Sequence, residues 1–154
     1  MAFWIFLHLS SIIYLCVGIG AAIVPVWMSW KRDDINERVI LLLTSQKAFT
    51  VGLLPGIIAV LFSGYAWVAA SNYSITSGSM IVIQILFFLN LFLFIPLFGV
   101  ALRRVKWSAL SAQKSGETSE DLVDALADNV PLVFGTMIIV SIPLILLLVV
   151  IRFF

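Results

Sequence analysis

Residues 3–32 read FWIFLHLSSIIYLCVGIGAAIVPVWMSWKR, an apolar run that ends in two tryptophans and two basic residues. It exceeds the roughly 20 apolar residues needed to cross a hydrocarbon core about 30 Å thick. In lipid every backbone N–H and C=O needs an internal partner, so such a run is a helix. No Lys or Arg precedes it and it outruns a signal-peptide core, so we expect it to stay in the mature chain as a first span. Segment 3–30 is also long enough to tilt or to project beyond the bilayer.

Three further segments repeat the pattern, at residues 48–70, 79–102 and 130–151. The composition agrees: the chain is 62% hydrophobic and 11% charged, whereas soluble domains carry about 45–50% and about 25%. The expected fold is all-α, a four-helix transmembrane bundle forming a single integral membrane domain over residues 1–154, with no room for a separate soluble domain. The lone cysteine, Cys16, allows no internal disulfide and reads as a small packing residue in the first helix. We find no lipidation motif.

The charges set the orientation. Lys31, Arg32, Arg38 and Lys47 lie between helices 1 and 2, and Arg103, Arg104, Lys106 and Lys114 between helices 3 and 4. Only Arg152 lies elsewhere, so the positive-inside rule predicts two cytoplasmic loops with the N-terminus and C-terminus on the extracytoplasmic side. Trp4, Trp67 and Tyr73 then mark the outer boundary, and Trp27, Trp30 and Trp107 the inner one. All eight acidic residues share the two loops. In the first loop, Ile35, Val39 and Leu42 at helical spacing predict a short amphipathic helix lying at the interface. In the second, Thr118 and Asp121 read as a capping box before an apolar face of Leu122, Val123 and Leu126, with Pro131 in the first turn of helix 4. Each segment is either an ordinary lipid-surface helix or a docking face for a cytoplasmic partner.

Helices in lipid associate by close packing of small residues. At 100° per residue, Gly52, Gly56, Ala59, Ser63, Ala66 and Ala70 fall within about 80° on helix 2, a stripe expected to meet another helix of this chain, or else a second copy. On helix 1, His8, Ser11, Leu15, Gly18 and Ala22 share a similar face. The chain's only histidine therefore projects toward the packed side, where an imidazole can be satisfied. Pro25, Pro55, Pro96 and Pro143 each fall inside a helix and are expected to shape the bundle.

No Asp, Glu, Lys or Arg falls inside a predicted hydrocarbon segment, which argues against ion-coupled transport. Gln84, Asn90, Thr50, Thr136 and Ser141 are scattered, and interhelical hydrogen bonds account for them. Zinc motifs, phosphate-binding glycine loops and catalytic triads are missing. His8 is the remaining candidate. It is either a packed, hydrogen-bonded residue or the axial ligand of haem or chlorophyll. Met80, at the same predicted depth, could complete a His/Met pair, or a second copy could bring its own His8. Copper is the weakest option, because Met1, Met28, Met80 and Met137 form no cluster and Cys16 lies two turns from His8.

The start FLHLSSIIYLCVGIG resembles a superfamily of small helical membrane proteins. It contains the CopD-like copper-resistance proteins, the HemJ-like protoporphyrinogen oxidases and an uncharacterised predicted integral membrane protein family. Its first helix carries Leu-His, with a tryptophan seven residues on and a glycine ten residues on. Leu7, His8 and Gly18 match, while Leu15 takes the tryptophan's place. Helix 2, LLPGIIAVLFSGYAW with Pro55, Gly64 and Trp67, is most similar to the uncharacterised branch. The HemJ-like enzymes have an arginine after the proline of helix 1 and an intramembrane lysine. Here Val26 and Trp27 follow Pro25, and no such lysine is present. The resemblance thus implies four helices and a histidine that faces a tetrapyrrole, without the oxidase chemistry.

The expected function is that of a non-catalytic membrane protein, a structural or accessory subunit of a larger, energy-converting membrane complex with no cofactor of its own. The alternatives are a haem- or chlorophyll-binding protein using His8, and a copper or small-molecule carrier. Expected partners are the lipid bilayer and other membrane subunits, with a homo-oligomer as an option and no nucleic acid. The expected location is a bacterial inner membrane.

Overall fold

The computed structural model describes residues 1–71, 74–76 and 78–153, and only the backbone of Ser79, Arg152 and Phe153. Tyr73, expected at the outer boundary, lies outside the described residues. Helix α1 spans Ala2–Trp30, α2 Ile35–Ala48, α3 Leu54–Ala69, α4 Gly78–Leu89, α5 Ile95–Ser115, α6 Glu120–Ala127 and α7 Val130–Phe153. Two π-helical turns, Phe49–Leu53 and Asn90–Phe94, join α2 to α3 and α4 to α5 without a break. The described residues are all helix or connection, and four helices are long and apolar enough to span a membrane. This is the expected all-α four-span bundle.

Both π turns precede a proline. A proline cannot donate to the carbonyl four residues back, and its ring crowds that carbonyl. Pro55 and Pro96 stand at the start of α3 and α5, so the wider turn takes up the missing bond and the helix continues. Tyr14 on α1 donates its hydroxyl to Val51 O at 2.6 Å, the carbonyl that Pro55 leaves without its α-helical donor. The prolines therefore modulate continuous helices, with the second span running from Ile35 to Ala69 and the third to Ser115.

That continuity changes the expected boundaries. The first amphipathic segment does not lie flat on the interface but stands in line with α3 as its extension. Val39, Leu42 and Ser45 of α2 are buried against the neighbouring helices, and Ser45 donates its hydroxyl to Ala22 O. Lys47 consequently sits within the long helix, exposed, rather than in a loop. At this basic end, the last turns of α1 and α5 pack with α2 and α6 around Val105, Ala109, Leu122 and Ala125. Asp34 caps α2 by accepting from Asn36 N at 2.8 Å. Ser119, one residue beyond the expected Thr118, caps α6 by accepting from Leu122 N. Gly116 ends α5 with φ +76°, a left-handed stop that glycine adopts without strain. Trp30 Nε1 donates to Leu126 O at 3.1 Å and ties α6 to α1.

Helix α1 and the π turn before α3 meet backbone to backbone. A Cβ on Gly18 would lie 2.6 Å from Gly52 C and 2.7 Å from Leu53 N, so the two backbones touch where neither residue has a side chain. Leu15 packs on Gly56 one turn further along. The small stripe of helix 2 thus meets helix 1 of the same chain. Dispersion from such close packing is the main attraction between helices in lipid.

Gly18→Ala should therefore cost about 1–3 kcal/mol, the range for overpacking, because the obstacle is backbone that cannot rotate away. Gly20→Ala, whose Cβ meets nothing within 4 Å, should leave stability unchanged or slightly raised. Reversible unfolding of the two variants in mixed detergent micelles separates these outcomes.

Candidate functional site

The bundle is tight at its basic half and open toward the end that carries both termini. The fully buried side chains, among them Ile23, Leu53, Ile57, Phe98, Leu102 and Ile138, lie in the middle and basic parts. Toward the termini the helices stand around a partly open cavity of about 540 Å³. All four spans line it: His8 and Ile12 from α1, Gly64 and Trp67 from α3, Met80, Gln84 and Phe87 from α4, and Ile145 and Val149 from α7. The walls are almost entirely apolar, and the volume falls within the 300–1,000 Å³ or so typical of ligand sites.

His8 reaches this cavity because of the α1–α3 register. Leu15 meets Gly56, and seven residues further on along both antiparallel helices His8 meets Ser63. Seven residues are close to two helical turns, so the same faces come round again. His8 Nδ1 lies 3.0 Å from Ser63 Oγ, and Ser63 Oγ lies 2.6 Å from Ala59 O. The imidazole rests beside Trp67 with ring centroids 5.6 Å apart. A Cβ on Gly64 would stand 3.0 Å from His8 Cε1, so the missing side chain makes room for the ring. His8 is half-buried, and no described residue hydrogen-bonds its Nε2.

Two polar links brace the cavity. Tyr65 donates its hydroxyl to Gln84 Oε1 at 2.9 Å, and Gln84 Nε2 donates to Ile75 O at 3.0 Å and Met80 O at 3.2 Å. This ties α3 to α4 and to the connection between them. At the floor, Ser141 donates to Asn90 Oδ1 at 2.8 Å, and Asn90 Nδ2 donates to Leu86 O at 2.9 Å. Three of the scattered polar residues therefore bridge helices, Gln84 with Tyr65 and Asn90 with Ser141. Thr50 and Thr136 instead donate to carbonyls of their own helices.

The structure thus brings His8 and Met80 to one cavity, with Ser63 within hydrogen-bond distance of His8. Gly18, Gly52 and Gly56 belong to the helix contact that positions it, Ala22 is fully buried, and Ala59 O accepts from Ser63. Cys16 is exposed and does not line the cavity. Among the described residues no three His, Cys, Asp or Glu side chains gather. Gln84 makes the expected interhelical hydrogen bond, while Gly64 and Trp67, noted in the sequence for the resemblance and the outer boundary, prove to be neighbours of the His8 ring. Gly64 could have been found as the neighbour of Ser63 on the face that meets His8.

A metal tetrapyrrole fits these residues. One imidazole faces an apolar space of suitable size, Gly64 leaves the ring unobstructed, and Met80 offers a thioether to the same space. His8 would hold the metal, with Trp67 and Phe87 as apolar walls.

The Asn90–Ser141 link at the cavity floor should show a coupling of about 0.6 kcal/mol, with an upper end near 1.7 kcal/mol. A double-mutant cycle of Asn90→Ala and Ser141→Ala, read by unfolding in micelles, measures it.

No curated protein and no solved structure matches the chain. A family model described as "Predicted integral membrane protein (DUF2269)" matches residues 4–153. With nearly its whole length matched and four spans in its fold, the chain belongs to this family of predicted integral membrane proteins.

Proposed function

We propose that the protein is a non-catalytic membrane component that holds a metal tetrapyrrole, of the haem or chlorophyll kind, against His8. The observation that carries this reading is the meeting of the chain's only imidazole with an apolar cavity of about 540 Å³ in the open half of the bundle. The resemblance of Leu7, His8 and Gly18 to the CopD-like and HemJ-like superfamily supports it. When bound, such a group supplies one-electron transfer or light absorption. The chain's part would be to bind and orient it: His8 would hold the metal, Met80 would offer a thioether from the same lining, and the apolar walls would limit access of water. With eight of nine basic residues at one end, that end is read as cytoplasmic, in a bacterial inner membrane, and the cavity as lying in the outer leaflet.

A second reading, an accessory subunit of a larger membrane complex such as an energy-converting one, is favoured by the outer face of α6. There Glu120, Asp121 and Asp124 stand exposed around Val123, which is 55% exposed. A partner with a basic face would suit it. Gentle purification through a tag should then recover a stoichiometric partner, lost when Asp121 and Asp124 are changed together to Asn.

For the leading reading, the protein purified in mild detergent with a tag free of histidine should show a Soret-region band. His8→Ala should abolish the band, and Met80→Leu should alter its position while retaining the pigment. A native sample with no such band, and none after addition of hemin, sinks the proposal.

A further inference from the structure

The neighbour of His8 decides which of its two nitrogens is available. Ser63 Oγ carries one hydrogen and two lone pairs. It lies 2.6 Å from Ala59 O, a distance at which two oxygens without a hydrogen between them would repel. The hydroxyl hydrogen therefore points to Ala59 O, as serine commonly does inside a helix. What Ser63 presents to His8, at 3.0 Å, is a lone pair. Nδ1 must then carry the hydrogen and donate to Ser63 Oγ. In a neutral imidazole this leaves Nε2 bare, with its lone pair unclaimed by any described residue.

We propose that Ser63 is a positioning residue that locks His8 in the Nδ1–H tautomer, so that Nε2 is an electron-pair donor toward the cavity's ligand. Gly64 and Trp67 hold the ring plane from the same helix, Gly64 by leaving 3.0 Å between its would-be Cβ and Cε1. A ligand class follows. The site takes a ring with a metal centre that accepts an electron pair, and the bare Nε2 of His8 cannot itself donate a hydrogen bond to a carbonyl-bearing ring such as a quinone. The arrangement is the intramembrane form of a common device, in which the hydrogen bond on one ring nitrogen fixes the other as the metal ligand. The ligand class rests on the tetrapyrrole reading above; the tautomer does not.

The single histidine makes the test direct. Protein labelled with ¹⁵N-histidine, carrying no histidine tag and held in detergent micelles, should give long-range proton–nitrogen correlations of the Nδ1–H form alone. Ser63→Thr, which keeps a hydroxyl, should retain that pattern. Ser63→Ala should lose it, with Nε2–H becoming the major form. An Nε2–H pattern in the native protein overturns the proposal, as does an unchanged pattern in Ser63→Ala. If Ser63→Ala does not fold, the native and Ser63→Thr spectra still decide. In the second arm, zinc protoporphyrin should bind the native protein with an absorption shift that metal-free protoporphyrin does not show, and Ser63→Ala should bind several-fold more weakly than Ser63→Thr. The Nδ1–H form seen without any zinc protoporphyrin shift overturns the ligand class and the tetrapyrrole reading together, and leaves the positioning role of Ser63 standing.

Discussion

The contact of Gly18 with Gly52 is the constraint on which the rest of the bundle depends. In water a helix pair gains from removing apolar surface from solvent, but between lipid-exposed helices that gain largely vanishes. What remains is proximity, and proximity is limited by side chains. Where two glycines face each other, the α1 and α3 axes approach until the backbones touch. The register fixed there carries along the helices, one turn on to Leu15 against Gly56 and then seven residues further to His8 against Ser63. The position of the imidazole is thus set by glycines lying several turns away from it.

The π turns let the same helices obey two different demands. Pro55 and Pro96 would each leave a carbonyl unpaired in an unmodified α-helix, a costly state in lipid. Widening one turn restores continuity, and Tyr14 supplies a donor to Val51 O across the helix contact. On the basic side of these turns small residues and alanines let the helices close, extending the packed core into α2 and α6. On the other side Trp67, Phe87 and Phe88 line the cavity. The bundle thus combines a close-packed half with a half that leaves an apolar cavity between its helices.

The polar groups in the open half are placed with economy. Gln84 and Asn90 would be expensive in a hydrocarbon surrounding if left unpaired, and each is engaged both within its own helix and across to a neighbour. Against that background the Nε2 of His8 is conspicuous, because Nδ1 is engaged by Ser63 and no described residue hydrogen-bonds the other ring nitrogen. The exposed ion pairs at the basic end, Arg32 with Glu37 and Arg104 with Asp128, contribute little to this arrangement.

The sequence by itself determined the four spans, because length and hydropathy against a bilayer of fixed thickness leave helices as the only solution. It also determined that helix 2 carries a stripe of small residues suited to close packing and that His8 shares a face with Ser11 and Gly18, since 100° per residue is a property of any helix; that the stripe meets helix 1 came from the tertiary structure. It did not reveal that the spans run on through Pro55 and Pro96, that α2 stands upright in line with α3, or that Ser119 and not Thr118 caps α6. Those outcomes depend on which carbonyls find donors, and Tyr14 and Ser45 provide them from other parts of the chain. The cavity, and the pairing of His8 with Ser63, Gly64, Trp67 and Met80, belonged wholly to the tertiary structure. Periodicity gives a side chain its direction but not the residue it meets, because that depends on how closely two helices approach and in what register.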